Sequence, residues 1–170
     1  MGPFQDPDSF RPFVEAHFAE LASFARSILG SGLEAEDVAQ EALIRLYRNR
    51  RRLRAEASPR AFAYRIAQRL CLSHLRRMSR RRALAVLLAP LADRESAPAP
   101  DPVDWWFTEL PRRQRAIAHL HFAENRDAPE IAAILGIAAS TVRVQLARIR
   151  SKLRSANTSS LKSERCSHAS

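Results

Sequence analysis

The 170-residue chain has few of the residues that interrupt helices or build disulfide and metal frameworks. Glycine occurs four times and cysteine twice, and Cys71 and Cys166 lie too far apart for a metal-ligand or disulfide pattern. The histidines are scattered, so we predict no metal site. The sequence has no run in which β-branched residues alternate with polar ones, which argues against strands and favours an all-α fold.

Long apolar segments and catalytic groupings are missing as well. The longest apolar stretch, ALAVLLAPLA at 83–92, is far too short to span a bilayer, and we find no signal-peptide pattern. We therefore expect a cytoplasmic protein without membrane insertion. No set of side chains suggests a nucleophile with its base, so we expect a protein that is not an enzyme and needs no cofactor.

Charge is distributed very unevenly along the chain. Residues 1–47 carry three arginines against eight acidic residues, whereas residues 48–82 carry thirteen arginines against the single acid Glu56. Like charges at this density repel one another, so such a block is typical of a protein that binds a polyanion. Together with the net charge of +10, it indicates nucleic acid or another acidic surface as a partner.

Helical periodicity and proline content divide the chain into two small helical domains joined by a flexible linker. We expect helices over about 10–29 and 34–50, then one that begins with Ser58 as cap and Pro59 in its first turn. The second block should begin with a helix over 111–122. The predicted segments are a helical bundle over 1–87, a Pro/Ala-rich linker over 88–104, a helix-turn-helix domain over 105–155 and a disordered tail over 156–170.

The segment EIAAILGIAASTVRVQLARIRSKL, residues 130–153, predicts the helix-turn-helix. Two apolar helical stripes flank Gly136, which can take the left-handed conformation that ends a helix, while Asp127 and Glu130 are spaced as a capping box. Ser140 is expected to cap the second helix. An ordinary helical hairpin is the alternative, but the basic second helix favours DNA binding. The candidate DNA-reading residues of that helix are Ser140, Thr141, Arg143, Val144 and Arg148.

The helix predicted near 34–50 has one apolar and one polar side. Val38, Ala42 and Leu46 share the side expected to face the core. An acidic, polar stripe is usually only solvated, but an isoleucine in its middle indicates a surface on which another protein docks. The candidate docking residues are Asp37, Gln40, Glu41 and Ile44.

The arginine-rich helix that follows has the composition of a surface for single-stranded nucleic acid. Arginines bind phosphates, and nearby aromatic rings can stack on unpaired bases. Arginines lying along an ordinary amphipathic helix are the alternative. The candidate residues are Arg65, Arg69, Arg76 and Arg80 with the rings of Phe62 and Tyr64, and the preceding loop adds Arg50, Arg51 and Arg52.

These segments resemble bacterial RNA polymerase sigma factors of the small extracytoplasmic-function group, in the sigma-70 family. EAEDVAQEALIRLYRN (34–49) resembles the part of region 2 that docks on polymerase, and SPRAFAYRIAQRLCLSHLRR (58–77) resembles the part that melts and reads the minus-ten promoter element. Residues 110–154 resemble region 4, whose helix-turn-helix reads the minus-thirty-five element. The resemblance covers about residues 10–155.

The resemblance implies partners. The polar side of the second helix would bind the clamp helices of the largest subunit of core RNA polymerase, and region 4 would bind the flap of the second-largest subunit. Promoter DNA would be the second partner, with loop 50–57 at the family's pocket for a flipped-out base. An anti-sigma factor is expected as a third. The apolar run 83–92 is a candidate contact for it, and a continuation of the third helix into the domain core is an equal alternative for this run.

The sequence departs from the family pattern at several of the implied DNA-reading positions. Phe62 stands where tryptophan is usual, and Arg69 and Ser73 replace asparagine and aspartate. Val144 and Gln145 replace a commoner Ser-Arg pair.

The implied function is promoter-specific initiation: the chain binds core polymerase, recognises promoter DNA and holds the opened strand. A response-regulator-type transcription factor is one alternative, because TVRVQLARIRSKL also resembles the DNA-binding helix of that family. Such a protein needs an α/β domain upstream, and residues 1–87 show only helical periodicity. An RNA-binding or structural adaptor that uses the arginine block without a polymerase is another alternative, and it would leave the stripe around Gln40 without a role.

Overall fold

The computed structural model describes residue 4 and residues 6–30, 32–53, 58–88 and 110–167, without the side chains of 52, 82, 85–88 and 156–167. All regular structure within these ranges is helical, which confirms the all-α prediction. The chain divides into two compact units, Met1–Pro100 and Asp101–Ser170, each described by itself below. The predicted linker, apart from its first residue, lies outside the described residues.

The first unit is a bundle of three helices. Helix α1 covers Pro7–Leu29, α2 covers Gly32–Arg48 and α3 covers Pro59–Leu88, with a 3-10 turn over Arg50–Arg52 between α2 and α3. The backbone N–H of Ala61 lies 3.3 Å from the hydroxyl of Ser58, as expected for a cap at the start of α3.

Helix α1 begins one turn earlier than its apolar periodicity indicates. The Asp6 carboxylate accepts a 2.7 Å hydrogen bond from the backbone N–H of Ser9, and the two residues form a capping box. At the other end Gly30 takes φ of 81° and donates its N–H to the carbonyl of Arg26 at 2.8 Å. A residue with a Cβ is strained in that conformation, so glycine suits the end of the helix.

The core of the first unit lies along α2, whose predicted apolar side is buried. It packs with Leu21, Phe24 and Ile28 of α1, all of which are buried. From α3 come Ala63, Tyr64, Ala67 and Cys71.

The prediction that Tyr64 offers a face for base stacking is wrong. Tyr64 is 0% exposed, and its ring meets Phe24 edge-on with centroids 5.0 Å apart. The physical reason is helical spacing, because the buried residues Ala63, Ala67 and Cys71 place Tyr64 on the inward side of α3. Tyr64 is therefore a core residue.

Replacing Tyr64 tests this burial. Tyr64→Ala should lower the free energy of unfolding by about 3–5 kcal/mol, the range for deleting a buried aromatic side chain. Tyr64→Phe, which keeps the ring against Phe24, should cost much less. Urea denaturation of the full chain followed by circular dichroism measures both. A Tyr64→Ala effect as small as that of an exposed residue, about 0.5 kcal/mol, would contradict the core position.

The second unit contains the helix-turn-helix. Helix α4 covers Arg112–Ala118, α5 covers Ala128–Leu135 and α6 covers Ala139–Ser167. The helix predicted over 111–122 is therefore split, because its second half is a π-helical turn over His119–Ala123. In the turn between α5 and α6, Gly136 has φ of 68°, as its position predicts.

The capping box predicted at the start of α5 is present. Glu130 donates its backbone N–H to the Asp127 carboxylate at 2.8 Å, and the Glu130 carboxylate accepts from the N–H of Asp127 at 3.0 Å. These two bonds satisfy backbone donors that have no partner inside the helix.

Two predictions for α6 are wrong. Ser140 lies inside the helix rather than capping it, since α6 begins at Ala139 and Val142 donates its N–H to the carbonyl of Ala138 at 3.2 Å. The segment predicted to be a disordered tail continues the same helix to Ser167, because no glycine or proline follows Gly136 to interrupt it. Residues 168–170 lie outside the described residues.

Candidate polymerase and nucleic-acid interfaces

The predicted docking side of α2 faces away from the core. Asp37, Gln40 and Ile44 are exposed and Glu41 is half-buried. Glu41 accepts a 2.6 Å hydrogen bond from the guanidinium of Arg45, one turn further along the helix. Ile44 is 37% exposed and places an apolar side chain within this polar stripe.

A groove of about 620 Å³ runs between α1 and α2 beside this stripe. Its polar lining includes Asp37 and Gln40, while Glu41 instead lines a smaller hollow of about 260 Å³ between α2 and α3. Sequence reasoning missed the side of the groove that α1 forms, although the spacing of four residues between Phe10, Val14 and Phe18 was visible in the sequence. The apolar lining consists of Pro7, Phe10, Val14, Phe18, Leu43, Ile44 and Tyr47.

The arginines predicted on α3 lie along one side of that helix. Arg69, Arg76 and Arg80 are exposed, whereas Arg65 and Phe62 are half-buried. The side chains therefore form a basic surface with one partly accessible aromatic ring at its start. On the opposite side of α3, burial raises the pKa of the Cys71 thiol to about 12, so a reactive thiolate is not expected at neutral pH.

A carboxylate of α1 holds the beginning of α3. Glu20 Oε2 lies 3.0 Å from the Arg60 guanidinium and 3.1 Å from Nδ1 of His17. A positive charge is unfavourable in the first turn of a helix, and Glu20 offsets that of Arg60. The contact ties the turn that carries Phe62 to α1.

The 3-10 turn after α2 presents Arg50 in a defined position. Its guanidinium donates to the Tyr47 carbonyl at 3.0 Å and lies 3.9 Å from the centroid of the Tyr47 ring, which in turn packs 5.1 Å from Phe10. This cation–π stack orders Arg50 without neutralising its charge. Arg51 is exposed, while the side chain of Arg52 lies outside the described part of the chain.

In the second unit the helix-turn-helix places its predicted residues as the sequence indicates. Ile131, Leu135, Val142, Leu146 and Ile149 are buried where α5 meets α6. The chain bends by 112° between α5 and α6, within the range of about 90–120° for the angle between the two helices of this motif. The side of α6 turned away from the buried stripe is exposed at every predicted position: Ser140, Thr141, Arg143, Val144 and Arg148.

Gln145 has a structural contact that the sequence did not reveal. Its Oε1 accepts a 2.9 Å hydrogen bond from Nε2 of Gln114, which joins α6 to α4 across thirty-one residues of sequence. Gln145 therefore helps to hold α6 against α4.

His121 joins the π-helical turn to α6. Its Nδ1 lies 2.9 Å from the carbonyl of Arg126, and its Nε2 lies 3.0 Å from the guanidinium of Arg150. Since the carbonyl needs a donor and the guanidinium needs an acceptor, the contacts select neutral histidine with its proton on Nδ1. Desolvation, and then the charge of Arg150, lower the pKa of His121 below its ordinary value.

The His121 contact makes a testable prediction. Arg150→Ala should raise the pKa of His121 toward its ordinary value, because the guanidinium no longer opposes protonation of the ring. Proton NMR of the imidazole during a pH titration measures the shift. Lys152→Ala, which removes an exposed cation elsewhere on α6, is the control and should leave the pKa unchanged. An unchanged pKa in Arg150→Ala would contradict the contact.

The fold and these surfaces define a two-unit helical protein with a basic helix, a helix-turn-helix and a groove able to receive another protein. The family model of sigma-70 region 2 matches residues 13–81, and that of sigma-70 region 4 matches residues 107–153. The chain belongs to the sigma-70 family of RNA polymerase sigma factors, in its extracytoplasmic-function group.

Similar proteins extend this match over most of the chain. The extracytoplasmic-function sigma factor SigM of Mycobacterium tuberculosis is 29% identical over 154 residues, covering 87% of this chain and 76% of SigM. The sigma factor RpoE, in a complex with the anti-sigma factor NepR from Bartonella quintana, has a TM-score of 0.69 at 20% identity and covers 87% of this chain and 96% of its own. CnrH, in complex with the cytosolic domain of CnrY, has a TM-score of 0.69 at 21% identity, and the match covers 91% of this chain and 90% of CnrH. The structural likeness confirms the fold.

The family matches carry the function. The chain is a sigma factor that binds core RNA polymerase and directs promoter-specific initiation, as the resemblance implied. A response regulator is not favoured, since helices of sigma region 2 occupy the place of the α/β domain that it requires. Sigma factors are generally initiation factors rather than enzymes.

No single described helix is long and apolar enough to cross a membrane. Among the described helices, α5 and the first part of α6 together reach the length and apolar composition of a membrane span, but they form a sharply bent pair.

Proposed function

We propose that the sigma factor docks on the clamp helices of the largest polymerase subunit through Asp37, Gln40, Glu41 and Ile44. The observation that carries this proposal is the exposed Ile44 beside an apolar groove with acidic and amide groups along it. An apolar centre with polar surroundings is the usual anatomy of a protein interface. The groove supports an extension of the docking surface onto α1, through Val14 and Phe18.

The docking proposal is tested by removing two side chains. Gln40→Ala combined with Ile44→Ala should weaken binding to core polymerase, by about 10-fold or more if Ile44 lies at the centre of the interface. Thermal stability should change little, because both residues are exposed. Leu33→Ala, which truncates an apolar residue that is 83% exposed on the same helix, is the matched control. Equal affinity of the double variant and the control in a titration of core enzyme would reject this surface.

The DNA-binding proposal has two parts. In region 2, the basic side of α3 and the turn before it hold the opened strand. In region 4, the exposed side of α6 reads the minus-thirty-five element in the major groove, and the domain binds the flap of the second-largest subunit. The region 2 residues are Arg50, Arg51, Arg52, Phe62, Arg65, Arg69, Arg76 and Arg80, and the region 4 residues are Ser140, Thr141, Arg143, Val144 and Arg148.

Two variants of the holoenzyme should distinguish attraction of the duplex from capture of the opened strand, because each variant should impair only one of these two functions. Arg76→Ala with Arg80→Ala should weaken the closed complex and flatten its salt dependence by about one unit for each phosphate that the variant no longer binds. Phe62→Ala should leave closed binding nearly intact and reduce strand opening, since stacking contributes about 1–3 kcal/mol per base. Permanganate reactivity of promoter thymines measures the opening.

Phe62→Tyr is the control for this experiment, because it keeps an aromatic face and should restore opening. Phe62 is half-buried, so thermal unfolding must first show that Phe62→Ala is folded. Normal opening by a folded Phe62→Ala protein would assign strand capture to other residues, with Arg50 the first to test.

Regulation by an anti-sigma factor in the cytoplasm completes the proposal. It is supported by the two similar structures described above, since the sigma factor RpoE was solved with the anti-sigma factor NepR and CnrH with the cytosolic domain of CnrY. The end of α3 adds support, since Leu84 is 56% exposed within the apolar run that begins at residue 83.

A further inference from the structure

Arg150 lies on α6 beside the proposed base-reading residues. It follows Arg143 by seven residues, which is close to two helical turns, so both arginines lie along the same edge of the recognition helix. Ser140, Val144 and Ala147 occupy the exposed strip next to that edge. When a helix lies in the major groove, its centre meets base edges and its flanks approach the sugar–phosphate backbone.

The anchor of Arg150 differs from that of three other ordered arginines in the described part of the chain. Arg45, Arg60 and Arg126 each pair with a carboxylate, at distances of 2.6, 3.0 and 3.2 Å. Arg150 instead donates to Nε2 of His121 at 3.0 Å, and within the described ranges it forms no ion pair. A carboxylate would have neutralised the guanidinium, whereas neutral His121 orients it and leaves its charge available.

His121 is itself held in the orientation that this role requires. The carbonyl of Arg126, 2.9 Å from Nδ1, keeps the proton on that nitrogen and leaves the Nε2 lone pair for Arg150. The ring of Phe122 meets the His121 ring edge-on with centroids 4.8 Å apart. The imidazole is therefore fixed from three sides.

We propose that Arg150 binds a backbone phosphate of the minus-thirty-five DNA, and that His121 is the positioning residue that orients its guanidinium. The inference rests on the proposed placement of α6 in the major groove. Arg150 has five N–H donors, and the bond to His121 uses one of them. The remaining donors can bind a phosphate that arrives at a side chain already ordered, so less conformational entropy is lost on binding.

The phosphate contact is tested through its salt dependence. Holoenzyme affinity is measured as a function of KCl concentration, both for a promoter duplex selected from a random library and for a scrambled duplex. Arg150→Ala should weaken binding to both and reduce the slope of log K against log salt by about one unit. Arg26→Ala, which removes an exposed arginine of α1, is the control for charge alone and should leave the slope unchanged.

The positioning role is tested with two amides in place of His121. His121→Asn keeps a donor near the Arg126 carbonyl but is too short to accept from Arg150, whereas His121→Gln places an acceptor near the position of Nε2. His121→Asn should weaken binding about 2- to 10-fold, the equivalent of one hydrogen bond, without changing the salt slope. His121→Gln should restore the affinity. In the background of Arg150→Ala, His121→Asn should have no further effect.

Several outcomes would overturn the inference. An unchanged salt slope in Arg150→Ala would reject the phosphate contact. Effects of His121→Asn and Arg150→Ala that add in the double variant would show that His121 does not act through Arg150, as would failure of His121→Gln to restore binding. If Arg143→Ala and Arg148→Ala also leave affinity unchanged, the proposed interface of α6 fails as a whole. If Arg143→Ala and Arg148→Ala weaken binding but Arg150→Ala does not, only the role of Arg150 is rejected.

Discussion

The burial of α2 between α1 and α3 determines most of what the first unit presents to its partners. Ala39, Ala42 and Leu46 are 0% exposed, and the two small side chains let the neighbouring helices approach closely. Because each residue of an α-helix is turned by about 100° from the last, holding these three inward directs Asp37, Gln40 and Ile44 outward. The docking stripe is therefore a consequence of core packing.

A second constraint is the excess of positive charge. Two arginines with structural contacts are offset by carboxylates, Arg60 by Glu20 and Arg126 by Glu130. Arg50 and Arg150 are ordered by uncharged groups instead, respectively the ring and carbonyl of Tyr47 and the imidazole of His121. Each unit thus has an arginine that is held in position and keeps its full charge, which is the electrostatic requirement for binding phosphate.

Sequence reasoning failed where neighbouring elements decide the outcome. Tyr64 has the composition of a stacking residue, but only the packing of α3 on Phe24 shows that its ring is inside. The groove lining of Val14 and Phe18 requires α1 and α2 to lie side by side. The polar composition after residue 155 suggested disorder, yet α6 continues because nothing in that stretch stops it. The first two outcomes depend on contacts between residues distant in sequence. The third was readable from the absence of glycine and proline after Gly136, which the interpretation of that stretch as disordered did not take into account.

The sequence by itself determined the helical class, the main helices of both units, the capping box at Asp127 and Glu130, and the left-handed turn at Gly136. These features follow from local rules, namely apolar periodicity, hydrogen bonding within three or four residues and the freedom of glycine at positive φ. It also indicated which residues of α2 and α6 are exposed, since one helical side implies its opposite. Only the tertiary structure decided that Tyr64 is buried, that Tyr47 orders Arg50 and that His121 meets Arg150 across twenty-nine residues of sequence. Such contacts depend on how helices pack against one another, and periodicity within a single helix carries no information about its neighbour.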